Sequence, residues 1–321
     1  MYRYILRRVA LLLVIALCIC FAVYTMMYRM PSSAVRGVAV DGSGDALDRF
    51  FERHGVKNGF FSGYLRYAYN LFFKLDMGTS SVSGGPVWRD IKGRMPKTLT
   101  LAGGSILLTA LLGPLLGIVA AVYHNTWKDH VLMAVTAIGA SFPAYVLGVF
   151  ALMLFAVKLG WVRVLDYSNL KQLMLPIIVL SVGGIASTAR MMRSNMLEIL
   201  GKEYIVTARA KGVQSQRVLF KHALKNAVPS VVTVLATQLV QLLGGSFVVE
   251  NVFPMAGMGH YLIEAISRRN GNAIQGSIVV IGVMIAAIYM LSDIICAYVN
   301  PRIRERYTSG SRAGRRTEGS V

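Results

Sequence analysis

The chain has 321 residues, 55% of them hydrophobic and only 15% charged, with mean hydropathy +0.54 and a formal net charge of +19. A charged fraction well under the ~25% of soluble domains excludes an ordinary soluble fold and points to a chain solvated by lipid. In that setting the basic excess is a topology signal of cytoplasmic loops, and nucleic acid is excluded as a partner.

The first apolar run covers about 9–28, behind the basic start "MYRYILRR". Its length, and the absence of a small-residue cleavage site after it, predict a retained anchor over 1–28 rather than a signal peptide. Residues 29–98 read as an extracytoplasmic segment. "DGSGDALDRFFERHG" there is polar and Gly-broken, and "FFSGYLRYAYNLFFKL" is aromatic and amphipathic. Short helices at the outer surface are expected, with contact to a ligand as the alternative role.

A core over 99–299 follows, with further spans expected at about 99–123, 130–157, 173–192, 229–249 and 277–299. The architecture is therefore all-α and polytopic, with six transmembrane helices. Pro114, Pro143 and Pro176 are expected to interrupt the second, third and fourth spans, and Gly183–Gly184 and Gly244–Gly245 to loosen the fourth and fifth. "GPLLG", Gly113 to Gly117, has the spacing of a close helix contact. With the N-terminus inside, the inside segments carry eighteen Lys and Arg residues against five in the short outside loops. That asymmetry predicts cytoplasmic N- and C-termini.

Between spans four and five, over 194–228, the chain turns basic, with six Lys or Arg residues from Lys202 to Lys225. From Met196, the apolar positions Leu197, Leu200, Tyr204 and Ala208 recur at helical spacing. Lys211–Gly212 then supplies a basic last turn and the residue suited to a left-handed cap. A second helix with Val218, Leu219 and Ala223 on one side is expected to end near Asn226, before Pro229 opens the fifth span. A helix–turn–helix hairpin that docks on another protein is expected here, since a topology signal alone needs neither periodicity nor a Gly stop.

Within the spans, Gln238 and Gln241 are three residues apart and line a pathway or bond between helices. Asp293 is a costly intramembrane charge, expected to pair structurally with Arg190 or Arg193. His222 has no metal-ligand neighbours and reads as an interface or capping residue. Cys18, Cys20 and Cys296 show no paired spacing, so neither a disulfide framework nor a zinc site is expected. No GxxxxGK[ST] loop and no HExxH is present, so no catalytic residues and no metal site are assigned. Residues 300–321 form a basic cytoplasmic tail.

"EYIVTARAKGVQSQRVLFKHALKNAVP" resembles the cytoplasmic coupling motif of ABC-importer permeases of the dipeptide/oligopeptide/nickel branch. The match runs through Glu203, Tyr204, Thr207, Ala208, Arg209, Ala210, Lys211, Gly212, Val218, His222, Leu224, Asn226, Ala227 and Pro229. "DMGTSSVSGGPVWRDIKGRMPKTLTLA", "VVENVFPMAGMGHYLIEAISRRN" and "NPRIR" are similar to other segments of that family, so the resemblance covers nearly the whole chain. The chain departs from the usual pattern at "MYRMPSSAV", which keeps only Pro31, and at "MAGMG", where Pro-Gly-Leu-Gly is common. Asn270 and Asn300 also stand where Asp is usual.

The resemblance implies a type I importer permease forming half of a translocation pathway in a bacterial or archaeal cytoplasmic membrane. It implies a second homologous permease chain, two cytoplasmic ABC ATPase subunits or domains and an extracytoplasmic solute-binding protein. This chain would then bind no cofactor, with ATP and magnesium held by the ATPase partners. Di- or oligopeptides are the expected solute and nickel the alternative. A self-sufficient secondary transporter fits less well, because it would place charges deep in several spans and show inverted repeats.

Overall fold

The structure, a computed structural model, describes residues 2–29, 59–80, 82–162 and 170–299. The "DGSGDALDRFFERHG" stretch, Pro31, Asn300 and the basic tail lie outside the described residues. Among the described residues there is no strand, only an isolated bridge between Thr79 and Pro86.

Five helices are long and apolar enough to cross a membrane. They are α1 (Tyr2–Tyr28), α3 (Val87–Val122), α6 (Leu170–Leu200), a continuous helix from Ser215 to Val252, and α11 (Gly271–Val299). The short α2 (Phe60–Phe73) precedes α3. The third expected span is not one helix. α4 (Trp127–Ser141) stops at Phe142–Pro143, and α5 (Ala144–Ala151) with a π-helix (Leu152–Lys158) leaves at 97°. Counted as one span, this pair makes six.

The prolines behave differently from one another. Phe142 before Pro143 is extended (φ −95°, ψ 134°), as the clash of a proline ring with the preceding residue favours, and the helix ends there. Pro114 and Pro176 instead lie inside unbroken helices, as does Pro229. Interruption at Pro114 and Pro176 is thus corrected; proline is tolerated inside a membrane helix where surrounding groups re-satisfy the backbone it frees.

The described residues divide into two compact units, those within Met1–Thr100 with Ser246–Met290, and those within Leu101–Gly245 with Leu291–Val321. In the first, one core joins Cys20, Val23 and Tyr24 of α1 to Tyr67, Ala68 and Leu71 of α2 and Val279 of α11. A second core gathers Val87 and Ile91 of α3, Ala273 and Ile281 of α11, and Met258, Tyr261 and Ala265 of the short α10 (Met258–Ser267). In the second unit α6 packs against α4 and α5, and α3 lays its "GPLLG" turn on α6. A Cβ on Gly113 would lie 2.7 Å from Thr188, and one on Gly117 2.5 Å from the Ala189 carbonyl. Only hydrogen at these two positions permits that approach.

The basic stretch also differs in its segmentation. Met196–Leu200 is the end of α6, not the start of a hairpin helix. After a Gly201–Lys202 turn, the separate α7 (Glu203–Ala210) begins. The returning arm, α8 (Ser215–Arg217) and a π-helix (Val218–Leu224), runs straight into α9 (Lys225–Val252). It does not end near Asn226.

Candidate functional site

Two local effects build the hairpin. Lys202 takes extended backbone (φ −72°, ψ 145°), which ends the helical phase of α6 before α7 starts. Its ammonium bonds Glu198 at 2.9 Å, and that acceptor raises the lysine pKa. At the far end Gly212 has φ +78°. The Gly212 amide donates to the Arg209 carbonyl at 2.9 Å and the Val213 amide to the Ala208 carbonyl at 3.2 Å. This pair of bonds closes α7 with a left-handed glycine cap, and no atom lies within 4 Å of where a Cβ would sit.

The rear of the hairpin is packed. Met192 and Met196 of α6, Ala223 of the returning arm, Ala227 and Val231 of α9 and Ala121 of α3 form one buried cluster, with Leu219 and Leu224 against it. In α7 the buried anchor is Ile205, and Tyr204 faces outward, half of it exposed. The expected inner face is therefore corrected at Tyr204, while Ala208, one turn on from Ile205, is half-buried as expected. The turn at Gly201–Lys202 rotates α7 out of register with α6, so periodicity counted from Met196 does not carry across it.

The front surface is left open. Tyr204, Val206 and Phe220 are exposed, amid Glu203, Thr207, Arg209, Ala210, Lys211 and Lys221. Exposed apolar side chains set among basic ones are the make-up of a protein-docking surface. His222 is half-buried, and its backbone carbonyl accepts from Asn226 Nδ2 at 2.7 Å. No group of three His, Cys, Asp or Glu able to hold a metal occurs among the described residues.

Beside the base of the hairpin lies a cluster that sequence reasoning missed. Asp129, on the first turn of α4, is buried and accepts from Arg193 Nε at 2.7 Å and Nη2 at 2.6 Å. The Asn125 amide and the His124 ring complete its surroundings at 3.1 and 3.4 Å. Arg193 thus takes Asp129 as its partner, and the expected pairing with Asp293 is corrected in that respect; Asp293 lies half-buried near the end of α11.

The two glutamines part company. Gln238 is buried, accepting from the Thr188 hydroxyl at 3.2 Å and donating to the Gly184 carbonyl at 3.4 Å, so its side chain ties α9 to α6. Gln241 is exposed, on the same ridge of α9 as exposed Thr237 and Ser230.

In the other unit, the segment around "MAGMG" is organised by Glu250, also missed from sequence. Its buried carboxylate accepts from the Thr98 hydroxyl at 2.6 Å and from the Gly259 and His260 amides at 2.8 and 3.3 Å. Thr98 in turn accepts from the Met258 amide at 2.9 Å. The first amides of α10 are thereby capped by side chains of two other helices. A Cβ on Gly257 would fall inside the Glu250 carboxylate, and one on Gly259 would lie 2.5 Å from the Phe247 backbone. Those are the two glycines that "MAGMG" keeps. Nearby, Tyr261 donates to Asp90 at 3.3 Å beneath the Arg94 guanidinium, which also pairs with Glu264 at 3.5 Å. Asn270 caps α11 through the Ala273 amide and donates to Ser80 at 2.9 Å.

With this geometry in hand, comparison with known proteins is direct. Residues 113–305 match the family described as binding-protein-dependent transport system inner membrane component. A putative peptide transport system permease protein of Brucella abortus (strain 2308) is 34% identical over 309 residues, covering 94% of this chain and 98% of that protein. The glutathione transport system permease protein GsiC of Shigella flexneri serotype 5b is 32% identical over 305 residues, covering 95% and 99%. Among solved structures, an inward-facing MetNI methionine ABC transporter aligns with TM-score 0.55 at 21% identity, over 66% of this chain and 96% of that one. That likeness speaks to the fold.

Proposed function

The chain belongs to the family of binding-protein-dependent transport system inner membrane components, and from that premise we propose how it works and what it carries. It is a multi-pass permease component of an ABC importer. Its solute class is di- or oligopeptides, glutathione-sized molecules included. The carrying observation is that relatives named for peptide and glutathione transport match it across 94% and 95% of its length.

Energy comes from outside the chain. ATP and magnesium are bound by two cytoplasmic ATPase subunits, a second homologous permease supplies the other half of the pathway, and an extracytoplasmic binding protein delivers solute. The α7 hairpin, with Tyr204, Val206 and Phe220 outward and a basic rim, seats in an ATPase groove. Closure of the ATPase pair shifts the population between inward- and outward-open states through its differential hold on the hairpin. Both termini then lie in the cytoplasm, as the loop charges favour. Gln241, with Thr237 and Ser230 on the exposed ridge of α9, lines the aqueous path, since lipid-facing polar groups there are costly.

Co-expression with ATPase, second-permease and binding-protein genes, followed by purification and reconstitution, tests this. A di- or tripeptide delivered by the binding protein is expected to stimulate ATP hydrolysis, with nickel inert. Failure of any ATPase to co-purify overturns the reading, and stimulation by nickel alone overturns the solute class.

A further inference from the structure

The sequence leaves α2 as a surface helix of the extracytoplasmic segment, yet its packing places it deeper. Gly63, Tyr67, Ala68 and Leu71 form its buried face. Phe60 sets its ring 5.0 Å from Tyr28 and 5.6 Å from Tyr24 of α1. One turn on, the Tyr64 hydroxyl donates to the backbone carbonyl of Leu17 at 3.1 Å. Leu17 belongs to the apolar stretch Ile5–Met26. At 1.5 Å per residue it lies roughly 13 Å inside the Met26 end, close to the middle of a ~30 Å hydrocarbon core. A hydroxyl taking a helix carbonyl there is what the absence of water demands.

The opposite face of α2 has no partner among the described residues of this chain. Phe61, Leu65, Tyr69 and Phe73 recur every four residues as one ridge and are 74%, 66%, 53% and 79% exposed. Arg66 is the helix's single charge, at its flank, and Lys74 just past the end sits 5.5 Å from the Tyr69 ring. This ridge continues an apolar surface of α1 on which Leu13, Val14, Leu17 and Phe21 are exposed. Phe21 joins the two, edge-on to both Phe60 and Tyr64 at 5.7 and 5.2 Å.

We propose that α2 is a membrane-embedded helix that does not cross the bilayer, its buried face on α1 and its Phe61–Leu65–Tyr69–Phe73 ridge covered by lipid acyl chains. Depth decides the occupant: a helix anchored near the level of Leu17 is below the reach of an aqueous binding protein, and a single flanking Arg66 can extend its guanidinium toward the headgroups. The assignment rests on α1 spanning the bilayer and not on the solute or the ATPase coupling.

The test uses the full complex in liposomes. Spin labels on single cysteines, introduced as Phe61→Cys, Leu65→Cys, Tyr69→Cys and Phe73→Cys after replacement of the native cysteines, are expected to collide freely with oxygen. Collision with a water-soluble nickel chelate is expected to be several-fold lower than at Val82→Cys, in the exposed turn before α3. Chelate access equal to that at Val82 places the ridge in water and overturns the proposal; low access to both reagents means protein cover and does the same. In the unmodified complex, a phosphatidylcholine carrying a diazirine on its acyl chain is expected to label residues 60–73. Labelling of α1 without α2 also overturns it. Either outcome leaves peptide-stimulated ATP hydrolysis untouched.

Discussion

Arg193 holds Asp129 two-pronged, Nε to Oδ1 at 2.7 Å and Nη2 to Oδ2 at 2.6 Å, across 64 residues of sequence. The pair fixes the start of α4 against α6 beside the base of the hairpin. Its two members are not equally placed, for the Asp129 side chain is 1% exposed and that of Arg193 25%.

Removing the arginine therefore hurts more than removing the acid. Arg193→Ala leaves a buried carboxylate with only the Asn125 amide and the His124 ring beside it and is expected to cost about 3 kcal/mol, the low end for a broken buried pair. Asp129→Ala leaves a guanidinium that can turn toward water, and costs less. Thermal unfolding of the solubilised protein ranks the two, and the double variant should recover part of the Arg193→Ala loss. Equal losses would show that the exposure difference is immaterial.

Gly212 is expected to tolerate substitution according to backbone alone. With φ +78° and open space at its Cβ position, alanine costs ~1 kcal/mol of left-handed strain, and valine more because it is β-branched. Gly201→Ala, in the preceding turn without positive φ, is the control. Uptake per ATP hydrolysed, measured in liposomes, should fall from Gly201→Ala to Gly212→Ala to Gly212→Val.

Gln238 and Gln241 should separate in their readouts. Gln238→Ala removes the bonds to Thr188 and Gly184 and is expected to lower stability by ~0.6 kcal/mol, the usual worth of an interhelical bond in a membrane. Gln241→Ala should leave stability unchanged while altering the KM for peptide. A stability loss at Gln241 with unchanged transport would remove it from the pathway.

Tyr261, outside the spanning helices, has its pKa raised from 10.0 to about 12, by burial first and then by the Asp90 charge. Because the folded state keeps the proton that the unfolded state releases, this contribution to stability is complete below pH 10 and disappears as pH rises through 12. Alkaline titration of tyrosinate absorbance should show a late-titrating component that Tyr261→Phe reduces by one group. The same substitution should flatten the fall in stability over that window.

Helix positions were legible because apolar runs of spanning length admit few other readings in lipid. Which proline breaks its helix was not, since Pro114 and Pro143 both sit in apolar surroundings and nothing in their local sequence separates them. The left-handed need at Gly212 follows from a local cap and could be read locally. Asp129 could not, because an acid in a first helical turn reads as an ordinary start signal and its partner is remote. Glu250 was not legible either, because its Thr98 partner is 152 residues away, although a carboxylate followed closely by "GMG" hints at a capped helix start. The inward turn of Ile205 in place of Tyr204 was hidden by the two-residue break at Gly201–Lys202, which shifts the phase of every position after it.

The continuity of the returning arm with the fifth span has a mechanical corollary. From Ser215 to Gly245 the backbone is one helical lever, roughly 45 Å long at the helical rise. Tilting it by about 5° swings its far end by about 4 Å relative to its base. No flexible joint has to relay that displacement, so a small push at the tip is amplified along the rod instead of being absorbed by a loop.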